Sequence, residues 1–310
     1  MSNSEQEQKA IANSTSFVLV SKVKDYFQLI KFTLSFMVVF STVVSFLIAP
    51  NEQFYVREKI ISVLLLFVAG MLITSSANAI NQILEKTSDG LMKRTATRPV
   101  ASGRMSETEA GVFAFITGAA GVFMMWKFFN MESALVSLFS LFLYGFIYTP
   151  LKKVNSISVL VGAIPGALPC LIGWVAAYGN QPVSWTGAWV LFGIQFLWQF
   201  PHFWAIAWLA HKDYEAAGFK LLPADKGPTR FTAMQSIIYS ALMVPVGFLP
   251  FITGINGIES MFVLLVCNLW MVYMSVLLFI RMDAKSARRV MFSSYFYLMI
   301  VLLALFANRI

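Results

Sequence analysis

Nine long apolar stretches constrain the fold of this chain more than any other feature of its sequence. The hydrocarbon core of a bilayer is about 30 Å thick, and an α-helix needs roughly 20 apolar residues to cross it. A helix is also the open-chain structure that satisfies its own backbone hydrogen bonds inside lipid. The sequence therefore predicts nine transmembrane helices, at residues 32–49, 60–84, 110–128, 133–150, 157–178, 187–209, 233–253, 258–280 and 290–308.

The composition excludes a water-soluble domain. Of the 310 residues, 58% are hydrophobic and 12% are charged, and the mean hydropathy is +0.71; polar surface could not cover so apolar a chain. The lipid bilayer is thus the first predicted partner, and the net charge of +8 is assigned to membrane topology rather than to nucleic acid. Cys170 and Cys267 lie inside apolar stretches, so we expect packing residues, not a disulfide or metal site.

The distribution of basic residues predicts the orientation. With a cytoplasmic N-terminus, 19 Lys and Arg residues lie inside and four lie outside, which are Arg57, Lys59, Lys127 and Arg309. We expect the C-terminus outside, residues 1–24 as a cytoplasmic tail, and residues 25–310 as one transmembrane domain. The first 20 residues contain Glu5 and Glu7 and no apolar core, unlike a secretory signal.

A polar cluster follows the second apolar stretch. Asn81, Glu85 and Asp89 are spaced at i, i+4 and i+8, which places them along one face of a helix. Such oxygen ligands suit Mg²⁺, which is usually bound by few carboxylates together with waters and substrate phosphates. The basic residues just beyond suit a diphosphate, and they are Lys93, Arg94 and Arg98.

Two further loops are predicted on the same membrane side. The segment HKDYEAAG contributes Lys212 and Asp213, and a second carboxylate there could hold metal on the other flank of one diphosphate. The segment YTPLKK contributes Tyr148, Lys152 and Lys153, although topology alone explains a lysine pair equally well. The alternative for all these groups is an ordinary charged membrane surface, which two facing acidic clusters make less favourable.

Several motifs resemble one known family. The spacing Asn81-xxx-Glu85-xxx-Asp89 followed by MKRTATRPVASG resembles the first aspartate-rich signature of the UbiA-type intramembrane prenyltransferases. IYTPLKK, GAIPGALPCLIGW and FLWQFPHFWAIAWLAHKDYEAAGFKLLP are similar to the branch of that family that farnesylates haem. The matching segments span about residues 78–223. The resemblance implies an all-α bundle of nine transmembrane helices around a central cavity that opens toward the cytoplasmic loops.

The sequence departs from the family pattern at a few positions. Glu85 stands where the motif usually has Asp, which keeps a carboxylate but moves it by one methylene. Gln82 and Thr87 occupy positions that are often Asn and Asp. In the second loop Ala217 replaces the second acid of the usual pair and leaves Asp213, a pattern typical of the haem branch and unlike quinone-type enzymes.

The resemblance implies transfer of a farnesyl group from farnesyl diphosphate to a vinyl group of haem B, with Mg²⁺ as the cofactor. The implied metal ligands are Asn81, Glu85, Asp89 and Asp213. The implied diphosphate-binding residues are Arg94, Arg98, Lys152, Lys153 and Lys212. Asp89, Asp213 and Lys152 are the expected catalytic residues. We expect a multi-pass protein in the plasma (inner) membrane of a bacterium, with downstream haem-processing or oxidase proteins as further partners.

His202 is a polar residue at hydrocarbon depth, directly after Pro201, which should open the helix locally. Haem contact or iron ligation is one hypothesis for His202, with Tyr148 as a second haem-contacting residue. The alternative is a neutral histidine hydrogen-bonded to a neighbouring helix. His211 is expected to be a solvated loop residue.

Two other functions remain open from the residues alone. A UbiA-type enzyme acting on a quinone precursor would share the metal and diphosphate residues. A transporter would share broken helices and buried polar groups, but the sequence has no evident internal repeat.

Overall fold

The structure, a computed structural model, describes residues 21–50, 56–223 and 227–310. Within these ranges the chain is helical, apart from turns, connecting loops and one isolated β-bridge between Asn256 and Arg309. The helices are α1 (Ser21–Leu29), α2 (Phe32–Ile48), α3 (Val56–Leu84), α4 (Lys86–Leu91), α5 (Glu107–Phe128), α6 (Met131–Phe142), α7 (Thr149–Leu151), α8 (Ser158–Ala176), α9 (Trp185–Leu209), α10 (His211–Ala216), α11 (Arg230–Val246), α12 (Leu249–Ile252), α13 (Ile258–Arg281) and α14 (Ala284–Ala307). A π-helical segment, Leu143–Tyr148, joins α6 to α7.

The prediction of an all-α, multi-pass membrane protein is confirmed. Among the described residues eight helical segments are long and apolar enough to cross a bilayer, and α1 with α2, bent by 48°, makes a ninth when the pair is taken as one. The predicted stretches coincide with these segments along most of their length. The helices extend further at polar ends: α14 begins at Ala284 rather than at residue 290, because the side chain of Asp283 caps it by accepting from Ser286 N.

Only the last residues of the predicted N-terminal tail lie in the described part of the chain. Residues 21–24 lie in α1 and are therefore helical, whereas residues 1–20 lie outside the described part of the chain. The predicted tail boundary at residue 24 thus falls inside a helix.

The membrane helices form a closed ring in chain order. Each of α2, α3, α5, α6, α8, α9, α11, α13 and α14 packs against the next, and α14 returns to α2. Contacts of α2 with α8 and of α9 with α14 cross the ring and divide it into two groups of helices. The consequence is that α8 and α9, where the two groups meet, are the most enclosed elements.

Burial confirms this central position. In their most apolar stretches, 78% of the α8 residues and 67% of the α9 residues are buried, against 22–33% in the other six spans. A Cβ atom at Gly173 of α8 would collide with the backbone carbonyl of Thr42 in α2, so glycine permits this close approach. Cys170, buried in α8, and Cys267 are free thiols among packed side chains, as predicted.

The expected opening of the sixth predicted helix at Pro201 is wrong. Helix α9 runs from Trp185 to Leu209 with Pro201 inside it. Proline removes one backbone donor, but packing on both sides of α9 keeps the helix continuous, since neighbouring helices can support a proline within a membrane segment.

Candidate functional site

The predicted acidic stripe crosses a break between two helices. Helix α3 ends at Leu84 and α4 begins at Lys86, yet Glu85 N donates to Asn81 O at 3.0 Å and Asp89 N donates to Glu85 O at 2.7 Å. Because this i to i−4 pattern continues through the break, the three side chains share one face, as the spacing predicts. Asn81, Glu85 and Asp89 retain 1%, 4% and 0% exposure, so they are not a solvated charged surface.

Both carboxylates of the stripe are neutralised by basic side chains. Arg98 Nη1 donates to both oxygens of Asp89, at 2.8 and 2.7 Å, and Lys152 Nζ donates to Glu85 Oε1 at 2.8 Å. An unpaired buried carboxylate would cost several kcal/mol, roughly, and these pairs avoid that cost. Two predicted diphosphate ligands are therefore held directly against two predicted metal ligands.

The loop after α4 is folded back so that Arg98 reaches Asp89. Thr95 Oγ1 donates to the backbone carbonyl of Asp89 at 2.9 Å, which ties the loop to the end of α4. Farther along, Arg104 Nε donates to Asp25 Oδ1 of α1 at 2.8 Å. The motif RTATRPVASGR thus fixes the conformation of the loop in addition to supplying its positive charges.

Lys152 is positioned by the π-helical segment, which the sequence analysis did not predict. Thr149, directly after this segment, donates to Tyr144 O at 2.9 Å and accepts from Asn81 Nδ2 at 3.3 Å. Lys152 Nζ lies 4.4 Å from the centre of the Tyr148 ring, a distance suited to a cation–π contact. Single π-helical turns are frequent at functional sites, because the extra residue re-aims the side chains that follow.

The second acidic loop meets the first through Arg94. Arg94 Nη2 donates to the Tyr214 hydroxyl at 3.0 Å, and Tyr214 belongs to α10. Burial lowers the pKa of the Arg94 guanidinium, but Tyr214, Asp213 and Asp89 raise it by more, so that its pKa lies above the usual value. The two predicted acidic clusters therefore act on one guanidinium.

The backbone links this second loop to the Lys152 segment as well. Lys220 N donates to the carbonyl of Lys152 at 2.7 Å. Nearby, Met92 packs with Ala217 and Phe219 in a small buried cluster. The three loops that the sequence analysis assigned to one membrane side are thus brought together.

The structure does not bring every predicted basic residue into this cluster. Lys93, Lys153 and Lys212 are exposed, and among the described residues none of the three side chains forms an ion pair or hydrogen bond. Asp213 is half-buried and likewise has no ion pair within the described ranges. Their roles in binding diphosphate or metal stay predictions.

His202 occupies a packed interface between α9 and α14. Its ring stacks on Trp198 with centroids 4.9 Å apart, and its Nδ1 lies 2.8 Å from Ser294 Oγ. Ser294 gives its single hydroxyl proton to Met291 O at 2.6 Å, so Nδ1–H of His202 is the donor to Ser294. This geometry is that of the structural alternative, and it leaves Nε2 with a free lone pair in the neutral ring. Haem contact by His202 stays a prediction.

Sequence reasoning missed one member of the cluster. Lys31 Nζ donates to Asn81 Oδ1 at 2.6 Å, although from the sequence Lys31 was only one of the 19 basic residues predicted on the cytoplasmic side. Gln82, noted as a departure from the family pattern, donates to the carbonyls of Gln28 and Leu29. A long-range contact of this kind leaves no periodic signal in the sequence.

The donor set fits a hard cation that shares its shell with a substrate. Within the described ranges no group of three or more His, Cys, Asp or Glu residues is placed to hold a metal by itself. Asn81, Glu85 and Asp89 nevertheless offer only oxygen ligands on one buried face, and Mg²⁺ commonly takes few protein ligands and completes its shell with phosphate oxygens and water. The stripe therefore fits Mg²⁺ in the presence of a diphosphate.

An apolar groove of about 900 Å³ between α3, α5 and α6 is a separate feature. Exposed aromatic side chains such as Phe115, Phe123 and Trp126 line it. Exposed apolar side chains on a membrane helix face lipid, so the groove belongs to the lipid-facing surface rather than to the polar cluster.

Comparison with known proteins agrees with this architecture. A protoheme IX farnesyltransferase from Cytophaga hutchinsonii is 40% identical over 292 residues, covering 94% of this chain and all of the relative. A solved structure of digeranylgeranylglyceryl phosphate synthase matches with a TM-score of 0.75 and 21% identity, covering 93% of this chain and 98% of the other. A UbiA homologue from Archaeoglobus fulgidus, bound to GPP and Mg²⁺, matches with a TM-score of 0.61 and 16% identity, covering 91% and 99% of the two chains.

At these identities the two solved structures bear on the fold, whereas the relative and the family model bear on descent. The model of the UbiA prenyltransferase family matches residues 38–301, which is most of the chain and includes the acidic stripe, the Lys152 segment and α10. The chain therefore belongs to the UbiA prenyltransferase family.

Proposed function

We propose that this protein transfers a farnesyl group from farnesyl diphosphate to a vinyl group of haem B, giving haem O and free diphosphate. The observation that carries the proposal is the 40% identity over 94% of the chain with a protein named protoheme IX farnesyltransferase. The buried stripe and its cations supply the groups that such a reaction needs.

Asn81, Glu85 and Asp89 on one flank and Asp213 on the other are the residues that would hold Mg²⁺. When bound, Mg²⁺ supplies Lewis-acid neutralisation of the charge that develops on the departing diphosphate. A structure of a UbiA homologue from Archaeoglobus fulgidus with GPP and Mg²⁺ supports the choice of metal.

The basic side chains of the cluster bind and orient the diphosphate. Arg98 and Lys152 are already at the stripe, and Arg94 joins it to α10. Lys153 and Lys212 lie on the exposed rim and would attract the anion from a greater distance. Fixed cations near the leaving oxygen stabilise the charge as it forms, and this is the catalytic contribution of Lys152 in particular.

The bond changes balance without a nucleophilic side chain. The bond between C1 of the farnesyl group and the diphosphate oxygen breaks, and the electron pair leaves with the diphosphate. The terminal vinyl carbon of haem forms a new bond to C1, and water adds to the neighbouring carbon and loses a proton. The site must keep water from the farnesyl cation until the carbon–carbon bond has formed.

Haem contact is assigned to Nε2 of His202 and to the Tyr148 side chain. The bond from Nδ1–H to Ser294 fits haem contact as well as the structural alternative, because it leaves Nε2 free and a histidine ligand commonly donates its other ring N–H to a fixed acceptor. Titration of haem into the His202→Ala variant, with the folded fraction measured separately, tests the assignment. An unchanged affinity and Soret band would make His202 a purely structural residue.

The 19-to-4 division of basic residues supports a cytoplasmic N-terminus and an outside C-terminus. The polar cluster would then face the cytoplasm. The similarity to a protein of the bacterium Cytophaga hutchinsonii supports location in the plasma membrane of a bacterium. Downstream haem-processing or oxidase proteins would receive the product.

One reaction tests the function. Purified protein is incubated with haem B, farnesyl diphosphate and Mg²⁺, and the pigment is analysed by mass spectrometry. The expected product is heavier than haem B by one farnesyl group plus one hydroxyl group, and chelation of Mg²⁺ should abolish it. Prenylation of an aromatic quinone precursor with no change in haem would instead assign the protein to another branch of the family.

A further inference from the structure

Lys31 lies at the bend between α1 and α2 in an uncommon backbone conformation. Its φ and ψ are 48° and 56°, in the left-handed region, and within the described ranges Met282 is the other non-glycine residue with positive φ. This conformation is unfavourable for any residue with a side chain, so surrounding contacts must hold it. The bend directs Lys31 Nζ at the acidic stripe rather than along the membrane surface, where a lysine flanking an apolar helix usually lies.

Amide side chains of α3 hold this bend in place. Gln82 Nε2 donates to the carbonyls of Gln28 and Leu29 at 3.0 and 3.1 Å. Asn78 Nδ2 donates to Ile30 O at 3.1 Å and to Ser35 Oγ at 3.0 Å. The backbone position of Lys31 is therefore fixed by contacts that do not involve its own side chain.

The charge of Lys31 has no counter-ion in the cluster. Its ammonium group donates to the neutral amide of Asn81, and among the described residues no carboxylate forms an ion pair with it. Glu85 is paired with Lys152, and Asp89 is paired with Arg98. Three basic side chains therefore face two carboxylates, and a bound anion would stabilise the charged form of Lys31.

The orientation of Asn81 leaves Lys31 able to bind a second acceptor. Its Nδ2 donates to Thr149 Oγ1, which turns Oδ1 toward Lys31. One ammonium group has three protons, so Lys31 can keep the bond to Asn81 and still donate to a second acceptor. An anion seated over the stripe would supply that acceptor.

We propose that Lys31 is a diphosphate-binding residue, the third cation of the site, which reaches the substrate from the bend between α1 and α2. This assignment rests on the proposed function, because the anion is taken to be the diphosphate of the prenyl donor.

The test compares variants at Lys31 with a matched control. Lys31→Asn removes the charge and suits the left-handed backbone, Lys31→Gln removes the charge with a longer side chain, and Lys31→Arg keeps the charge. Lys24→Gln is the control, because Lys24 is an exposed lysine in α1, just before the bend, with no side-chain partner in the described structure. Binding of inorganic diphosphate is measured by calorimetry in the presence of Mg²⁺, and haem binding by titration of the Soret band.

Lys31→Asn and Lys31→Gln should weaken diphosphate binding about tenfold while haem affinity stays unchanged, since one lost ion pair of roughly 1.4 kcal/mol is tenfold in affinity. Lys31→Arg should keep most of the wild-type diphosphate affinity, and Lys24→Gln should change that affinity less than about twofold. A role that is only structural would weaken both ligands together and would not be rescued by charge.

Unchanged diphosphate binding in Lys31→Asn, with haem binding intact as evidence of folding, would overturn the assignment. So would an equal loss in Lys24→Gln, which would indicate non-specific attraction. A wild-type protein that binds diphosphate but does not prenylate haem would contradict the proposed function and leave the Lys31 comparison valid. A wild-type protein that binds no diphosphate would overturn both.

Discussion

The two acidic loops of this protein contain the same kinds of residue but differ in the burial and in the ion pairing of their carboxylates. In the first, Glu85 and Asp89 are buried and each is already paired with a basic side chain. In the second, Asp213 is half-buried with no ion pair in the described structure, and Lys212 beside it is exposed. A carboxylate motif on its own therefore does not say whether the group also supports the fold.

This difference in ion pairing implies different roles for the two loops. At the first, both carboxylates are already paired with cations that belong to the chain, so substrate and metal must exchange with those cations. At the second, Asp213 is available without breaking an existing bond. The Arg94–Tyr214 hydrogen bond is a direct polar link between the two loops, and it is exposed.

The largest effect is expected when one aspartate is substituted in each of the two loops. Asp89→Asn should lower turnover about 100-fold or more and also destabilise the protein by about 3 kcal/mol, because it leaves Arg98 without its partner. Asp213→Asn should lower turnover by a similar factor with an unchanged melting temperature. Initial rates and thermal unfolding in detergent measure both, and equal stability losses in the two variants would remove the distinction.

The next effect tests whether the Glu85–Lys152 pair is a unit. Glu85→Gln and Lys152→Met should each destabilise the protein by about 2–3 kcal/mol, because each leaves one buried charge unpaired. The double variant should lose about 1–3 kcal/mol less than the sum of the two. Chemical denaturation of the three variants gives this coupling energy, and additive losses would mean that the two side chains do not interact.

A smaller effect is expected where the loops meet. Tyr214→Phe keeps the ring and removes the hydroxyl that accepts from Arg94, at a cost of about 1 kcal/mol. The KM for farnesyl diphosphate should rise about fivefold while the KM for haem stays constant. In an Arg94→Ala background the same change should have no further effect, and a full fivefold rise there would assign the hydroxyl another role.

The smallest effect concerns the exposed lysines. Lys153→Ala and Lys212→Ala should change stability by less than about 0.5 kcal/mol, as surface substitutions usually do. If they attract the diphosphate from a distance, the KM for farnesyl diphosphate should rise at low salt, and the rise should vanish near 1 M salt, where screening acts within about 3 Å. A salt-independent rise would instead place these ammonium groups in direct contact with substrate.

Much of the fold and part of the site followed from local features of the sequence. Apolar length alone located the membrane helices to within a few residues at most ends, since a bilayer of constant thickness sets the length that must be apolar. Spacing alone placed Asn81, Glu85 and Asp89 on one face, because the helical repeat is a local property. The motifs around these residues also indicated the family.

Tertiary structure decided what surrounds those residues. Lys31 is 50 residues from Asn81, Lys152 is 67 residues from Glu85, and Ser294 is 92 residues from His202 in the sequence. No periodic pattern encodes contacts at such separations, and they form only when the ring of helices closes. For the same reason spacing alone could not show that Lys152 turns inward after the π-helical segment and Lys153 turns out to solvent, and only the family resemblance singled out Lys152 as catalytic. The sequence by itself determined which side chains carry the charge, and packing determined which of those charges are paired.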